Sequence, residues 1–353
     1  MSRGRGVPRI LRWCLAGLLA AIVPAALAAG TKYKIVTASE RGTYIQIGRD
    51  LARWVAPPAD IELQVLPSVG SAENVERLRY EEGVKLAMVQ SDVYQAFLDI
   101  AAGGNASAEA MIRPLRVIMP LYNEEIYFVA RADAPLEHVH DIRAARINVG
   151  PLRSGTAMSA TTLFRQMFGT SIPEANVSYL SNEDALIRLT GDRSLDVVVI
   201  VAGQPAKLLA DMKPEARQLI KLLKFDPAHP SSQAALKSYF LTQVRASSYP
   251  NLLSEDVPSI AVKAFLVTYD FKSAPTAEHL ARLAQSLCRQ MRQLQASGHP
   301  KWREVELGLP ELGQGWSYYA PTERSLRQCL ASAPPAPVAT KCTQQERVLG
   351  LCK

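Results

Sequence analysis

Residues 33–44 read Tyr-Lys-Ile-Val-Thr-Ala-Ser-Glu-Arg-Gly-Thr-Tyr. An apolar, β-branched run, Tyr33–Ala38, gives way to the turn Gly42-Thr43-Tyr44. A helical pattern follows over Tyr44–Val55, with Ile47, Leu51 and Trp54 on one face. A strand that turns through Gly, Ser or Thr into a helix leaves the first helical N–H groups facing whatever lies past the strand end, a natural seat for an anion. The arrangement returns three times: at Gly70-Ser71, at Gln90-Ser91-Asp92 and at Ser154-Gly155-Thr156. Each follows a short apolar run and opens a helix-like run. Placed on two facing lobes, such turns would form a cleft for a small anion or zwitterion.

The rest of the chain keeps this rhythm. Ile61–Leu66 alternates like a strand, Ala72–Glu82 reads as a helix with Ser71 as its N-cap, Val84–Val89 is a strand and Asp92–Ala101 a helix. Strands alternating with helices imply parallel βαβ units with right-handed crossovers, hence an α/β fold. Leu115–Leu121 and Ile126–Ala130 are two apolar runs separated by Asn123-Glu124-Glu125, which we read as the passage from a first lobe to a second. In the second lobe, Arg146–Val149, Val177–Leu180 and Leu195–Val201 are strands, Ser181 caps a helix that Gly191 ends, and Gly203-Gln204-Pro205 starts another. Ile220–Phe225 is expected to cross back. The organisation expected is a leader at 1–28, lobe 1 at 29–122, lobe 2 at 123–225, the return of lobe 1 at 226–330, and a Pro/Ala linker with a cysteine-bracketed tail at 331–353. Thr276–Leu294 is the clearest amphipathic helix, its stripe of Leu280, Leu283, Leu287, Met291 and Leu294 marking a core face.

Arg3, Arg5, Arg9 and Arg12 precede an apolar stretch, Cys14–Ala28, ending in Ala26-Leu27-Ala28, the pattern of a cleaved secretory leader. The stretch is short for a membrane span, which needs about 20 residues; a retained N-terminal anchor is the alternative. Those four arginines supply much of the formal net charge of +7 over 353 residues, and no Lys/Arg block resembles a nucleic-acid arm. Beyond Cys14, the four cysteines Cys288, Cys329, Cys342 and Cys352 fall in the C-terminal part. An even number in an exported chain favours disulfides, and four permit three pairings; Cys288–Cys329 and Cys342–Cys352 are the favoured set. Neither pair has the spacing of a zinc site.

The combination of Gly42-Thr43-Tyr44 with Ile47-Gly48, Ser68-Val69-Gly70-Ser71 with Glu73-Asn74, Leu86–Asp92, Ser154-Gly155-Thr156, Ala202-Gly203-Gln204-Pro205 and Asp256–Val262 resembles the TAXI family of TRAP-associated extracytoplasmic solute receptors. The resemblance runs from about Tyr33 to about Arg324. It implies a two-lobed type II periplasmic-binding-protein fold with a ligand cleft between lobes that close on the ligand, a small organic acid or amino acid as solute (glutamate-like, or a dicarboxylate), and delivery to a TRAP-type membrane permease. With the leader, a periplasmic location is expected, and with it a monomer without cofactor. An exported sensor of the same fold is the second reading. Two residues depart from the family pattern: Arg41 and Arg153 stand where it has Gly. Each would either sit at a solvated rim or offer a guanidinium to a second carboxylate.

The expected ligand-binding set is Arg41, Thr43, Tyr44, Ser71, Gln90, Ser91, Asp92, Arg153, Ser154, Gly155, Thr156 and Gly203. Hydroxyls and helix-start amides would hold a carboxylate, with Gln90 and Asp92 placed for an ammonium or a water. An enzyme is not expected, because a G-x-S-x-G elbow, a P-loop and a G-x-G-x-x-G are all missing from the sequence. His138-Val139-His140-Asp141 reads as a solvated loop rather than a metal site.

Overall fold

The computed structural model describes residues 1, 30–312 and 315–332. The expected leader, the linker, and Cys342 and Cys352 lie outside the described residues. In chain order the elements are β1 (Thr31–Val36), α1 (Thr43–Asp50), β2 (Ile61–Leu66), α2 (Ser71–Tyr80), β3 (Val84–Gln90), α3 (Ser91–Ala102), α4 (Ala106–Ile112) and β4 (Leu115–Arg131). Then come β5 (Ile147–Asn148), α5 (Gly155–Phe168), β6 (Val177–Ser178), α6 (Asn182–Thr190), β7 (Val197–Ala202), α7 (Lys207–Ala210), β8 (Ile220–Leu222) and β9 (Phe240–Val244). β10 (Val257–Tyr269), α8 (Ala274–Ser297) and α9 (Ala320–Ser332) complete the order. Among the described residues, no helix is long and apolar enough to cross a membrane.

The strands form a sheet ordered β2-β1-β3-β10-β4-β7-β5-β6, with β8 on β4 and β9 on β10. β2, β1 and β3 are parallel, as are β7, β5 and β6. Between these two triplets run β10 and β4, antiparallel to each other and to their outer neighbours. The fold is therefore α/β and two-lobed, with a βαβ-type triplet in each lobe joined by a pair of long strands.

Alternation along β4 shows how the core is divided. Beyond its midpoint, Ile126, Phe128 and Ala130 enter one buried cluster with Leu163 and Phe164 of α5. Tyr127 and Val129 enter another, with Ala185 and Leu189 of α6. Both faces are covered, which is why Val197–Val201 of neighbouring β7 is apolar without interruption. Before the midpoint, Met119, Leu121 and Tyr122 pack with the α8 stripe, and Val117 with α3 residues Val93 and Phe97. The lobes thus meet at Asn123-Glu124-Glu125, which pairs with Lys263, Val262 and Ala261 of β10.

Two expectations change here. Leu115–Leu121 and Ile126–Ala130 are one strand, because the polar triplet between them is held inside the sheet by partners far away in sequence. The return to lobe 1 occurs at Lys263 of β10, not near Phe225. Phe225, Ala235, Tyr239 and Ile260 pack with lobe 2, as do Val244, Tyr249 and Val257. The segment 226–262 belongs to the second lobe's core.

After β10, α8 buries Leu280, Leu283, Leu287, Met291 and Leu294 against lobe 1. Cys288 on α8 is bonded to Cys329 on α9. Past α8, a tight turn over Pro300–Glu304 inserts Trp302 and Lys301 into the interior, both fully buried. Asp50 Oδ2 fixes that turn by accepting from His299 N and Trp302 Nε1, each at 2.8 Å. His299 caps it, its Nδ1 accepting from Lys301 N at 3.2 Å.

Burial, and secondarily the Lys301 charge, pushes the His299 imidazole down to about 4. A histidine depressed in the folded state contributes its full stability above its unfolded value near 6.5 and loses it as pH falls toward 4. In His299→Asn the amide oxygen can accept the same bond without titrating. Urea denaturation at pH 6.5 and pH 4 should show wild type losing about 2 kcal/mol more than the variant over that interval.

Candidate functional site

Where the lobes face each other, a cleft of about 220 Å3 is lined by Lys207 of the one-turn α7 and by the first residues of four longer helices: Thr43 of α1, Ser71 of α2, Gly155 of α5 and Asn182 of α6. The first two belong to lobe 1 and the last two to lobe 2. The volume is below the roughly 300–1,000 Å3 of drug-sized pockets, the scale of a small metabolite. Each helix start carries N–H groups without intrahelical partners and the positive end of the helix dipole. Part of this demand is met internally. The Ser154 hydroxyl caps α5 by accepting from Ala157 N at 3.0 Å, and the Ser181 hydroxyl caps α6 by accepting from Asp184 N at 3.1 Å.

Local backbone explains why α2 begins where it does. Gly70, not Ser71, is the N-cap residue, with φ of 133°, a conformation only glycine adopts freely. A side chain there would also meet Gly155 N across the seam at 3.0 Å. Ser71 is freed for another task. Its hydroxyl accepts from Gln90 N at 3.2 Å and lies 3.4 Å from Gln90 Oε1, locking the end of β3 to the start of α2.

In this structure the lobes touch around the cleft. Glu73 N donates to Arg153 O at 3.2 Å, and the Thr43 hydroxyl donates to Gly203 O at 3.2 Å. Arg41 faces Glu183 at 3.6 Å, and Arg153 pairs with Glu76. Gly155 is a close-approach point: a Cβ there would fall 1.8 Å from Gln90 Oε1 and 2.7 Å from the Ser71 hydroxyl.

Of the residues expected from sequence, Arg41, Thr43, Tyr44, Ser71, Gln90, Ser154, Gly155 and Thr156 line this cleft. Four do not. Ser91 and Asp92 line a separate cavity of about 320 Å3 with Lys263 and Trp316. There Asp92 accepts from Ser159 Oγ at 2.5 Å and Tyr239 OH at 3.2 Å, an inter-lobe tie, and burial raises its carboxyl to about 6. Arg153, at φ of 67°, turns outward to Glu76. Gly203 lies beneath the cleft, where Lys301 and Tyr122 leave no room for a Cβ. The histidines also differ from a plain solvated loop: His140 stacks on His138 at 4.9 Å and on His229 at 3.8 Å.

The residue that sequence reasoning passed over is Glu124. Its carboxyl lines the cleft, only 3% exposed, and accepts from Tyr44 OH at 2.6 Å through Oε2. Burial is the main cause that raises it to about 8. Beneath it, Glu125 accepts from Gln204 N and Nε2 and from the fully buried Lys301 Nζ at 2.9 Å; Lys301 Nζ also reaches Glu304 at 2.7 Å. Adjacent glutamates at the crossing of a long apolar strand were the available signal.

Residues 35–308 match the NMT1-like family. The chain is similar in structure to the periplasmic binding protein BugD, at 12% identity, covering 85% of this chain and 94% of that one, with a TM-score of 0.47. It is similar to a putative sulfonate ABC transporter periplasmic sulfonate-binding protein, SsuA, from Methylobacillus flagellatus KT, at 10% identity, 86% of each chain and a TM-score of 0.47. It is also similar to the alkanesulfonate-binding protein SsuA from Xanthomonas axonopodis pv. citri bound to MOPS, at 14% identity, 92% of this chain, 93% of that one and a TM-score of 0.43.

Proposed function

Because the chain belongs to the NMT1-like family, we propose that it is an extracytoplasmic solute-binding receptor, which captures a small carboxylate-bearing solute between its lobes and presents the closed form to a membrane transporter. The observation that carries this reading is the cleft itself, with helix starts from both lobes around one small polar volume. A charge at one helix N-terminus gains about 0.3–1 kcal/mol at the surface, and more where water is excluded. Several ends acting together can hold a carboxylate without a lysine.

Closure follows from the same geometry. A ligand touching both lobes favours the closed arrangement by its extra affinity for it. Arg41–Glu183 and Arg153–Glu76 span the seam as half-exposed pairs, each worth at most about 1 kcal/mol. They serve this reading as closure contacts and not as seats for a second carboxylate. The transporter is of the TRAP type in this proposal, on the sequence resemblance, and the receptor acts as a periplasmic monomer without turnover.

The test is mass spectrometry of small molecules released from purified protein, followed by thermal melting with each candidate. A bound solute raises the melting temperature with its concentration. Gly155→Val should fold, since its backbone is compatible with a side chain, yet it obstructs the approach of Gln90 and Ser71. We expect at least tenfold weaker binding and a more open shape by small-angle scattering. Unchanged affinity in this variant would remove the cleft from the mechanism.

A further inference from the structure

Glu124 is an unusual wall for a site otherwise built for anions. Four helix starts favour negative charge, yet a buried carboxyl faces the same volume. Among the described residues its hydrogen-bond partner is Tyr44, through Oε2. The cation that acts on its charge, Lys301, is bonded to Glu125 and Glu304 instead. The other ionisable groups coupled to it are Tyr44 from α1, Tyr122, Glu125 and Tyr127 from its own strand and Asp92 from α3. Arg41, Glu183 and Lys207 sit around the cleft lining, with Arg41 facing Glu183 and Lys207 bonded to Asp211. Among the described residues, no cation is committed to Glu124.

We propose, resting on the receptor reading above, that the solute carries an ammonium group that docks on Glu124 while its carboxylate takes the helix starts, and that capture expels the Glu124 proton. The solute is thus a zwitterionic amino acid or amine-bearing acid, not a plain mono- or dicarboxylate. The step balances: the protonated carboxyl and the ammonium ion become a carboxylate–ammonium pair plus one proton released to solvent. Burial keeps Glu124 protonated in the empty site at neutral pH, since its value stands near 8. The arriving cation supplies the charge that ionisation requires. A solute without the amine would leave the proton in place.

The two cases have opposite pH signatures. For an ammonium solute, affinity rises as pH goes from 6 to 8, by up to tenfold per unit, because less work is needed to deprotonate Glu124. For a carboxylate lacking the amine, affinity is flat up to about pH 8 and falls above it, as the ionised Glu124 repels it.

The experiment is titration calorimetry of the mature protein with each of the common L-amino acids and, in parallel, the matching acid lacking the amino group. It is run at pH 6, 7 and 8 in two buffers of different ionisation enthalpy. We expect an amino acid to bind with release of close to one proton at pH 7, affinity climbing with pH, and its amine-free analogue to bind at least a hundredfold more weakly. Glu124→Gln should fold, should abolish the proton release and the pH slope, and should narrow the gap between the amino acid and its analogue. An analogue that binds as tightly as its amino acid, or no proton release, overturns the ammonium assignment and leaves the receptor reading standing. Binding of neither series overturns both.

Discussion

Lys301→Met is expected to cost about 3–5 kcal/mol of folding free energy, measured by urea denaturation at pH 7. Lys301 Nζ is fully enclosed between Glu125 and Glu304, and Glu125 is itself only 2% exposed. Removing the cation strands a carboxylate inside the protein, and the desolvation of that charge, more than the lost attraction, sets the size of the effect. Glu125→Gln combined with Lys301→Met removes both charges and keeps the Gln204 contacts in reach. The double variant should therefore recover most of the loss, leaving a coupling of at least 2 kcal/mol between the two sites. A single variant within 1 kcal/mol of wild type would mean that water reaches the cluster beneath the cleft.

Replacing Cys288 and Cys329 together by alanine should cost about 4 kcal/mol. The two are separated by 41 residues, and a closed loop of that length restricts the unfolded chain by about this amount in the chain-entropy account. The position makes the bond more than incidental. α9 buries only Thr322 and Leu326 deeply, so the helix has a small apolar footprint of its own. Guanidinium denaturation of the oxidised wild type and of the double variant would measure the difference. Equal midpoints would show that packing alone holds α9 to α8.

What the sequence made visible was local. β1, α1, β2, α2, β3 and α3 follow from period and punctuation, because each element's apolar face and its terminating Gly or Pro lie within a dozen residues of each other. The eight cleft residues from Arg41 to Thr156 were legible for the same reason: turn chemistry is written at the turn. Ser91 and Asp92 show the limit. Small polar residues at a helix start look alike whether they face a cleft or, as here, tie one lobe to the other through Ser159 and Tyr239. Glu124 and Glu125 read as a linker because two acids in succession usually seek water. Their burial depends on Tyr44, Gln204 and Lys301, which are 80, 79 and 176 positions away in sequence from the glutamates they bond. The stretch after Phe225 reads as the return of lobe 1, and its place in lobe 2 is hidden because its few apolar anchors are separated by turns and obey no repeat.

β4 is shared property of both lobes, and this has an evolutionary corollary. Side chains alternate along a strand, so a single-residue insertion between Tyr122 and Ile126 would invert the parity of everything downstream, sending Ile126, Phe128 and Ala130 to the α6 side and Tyr127 and Val129 to the α5 side. A loop between lobes absorbs such length changes; a pleated strand takes up a single residue only as a bulge, and β4 already carries such register shifts against β10, between Lys263 and Phe265 and between Leu266 and Val267. Gains and losses of chain at this junction should therefore be tolerated in pairs, or singly only where a bulge restores the phase on which both hydrophobic interiors depend.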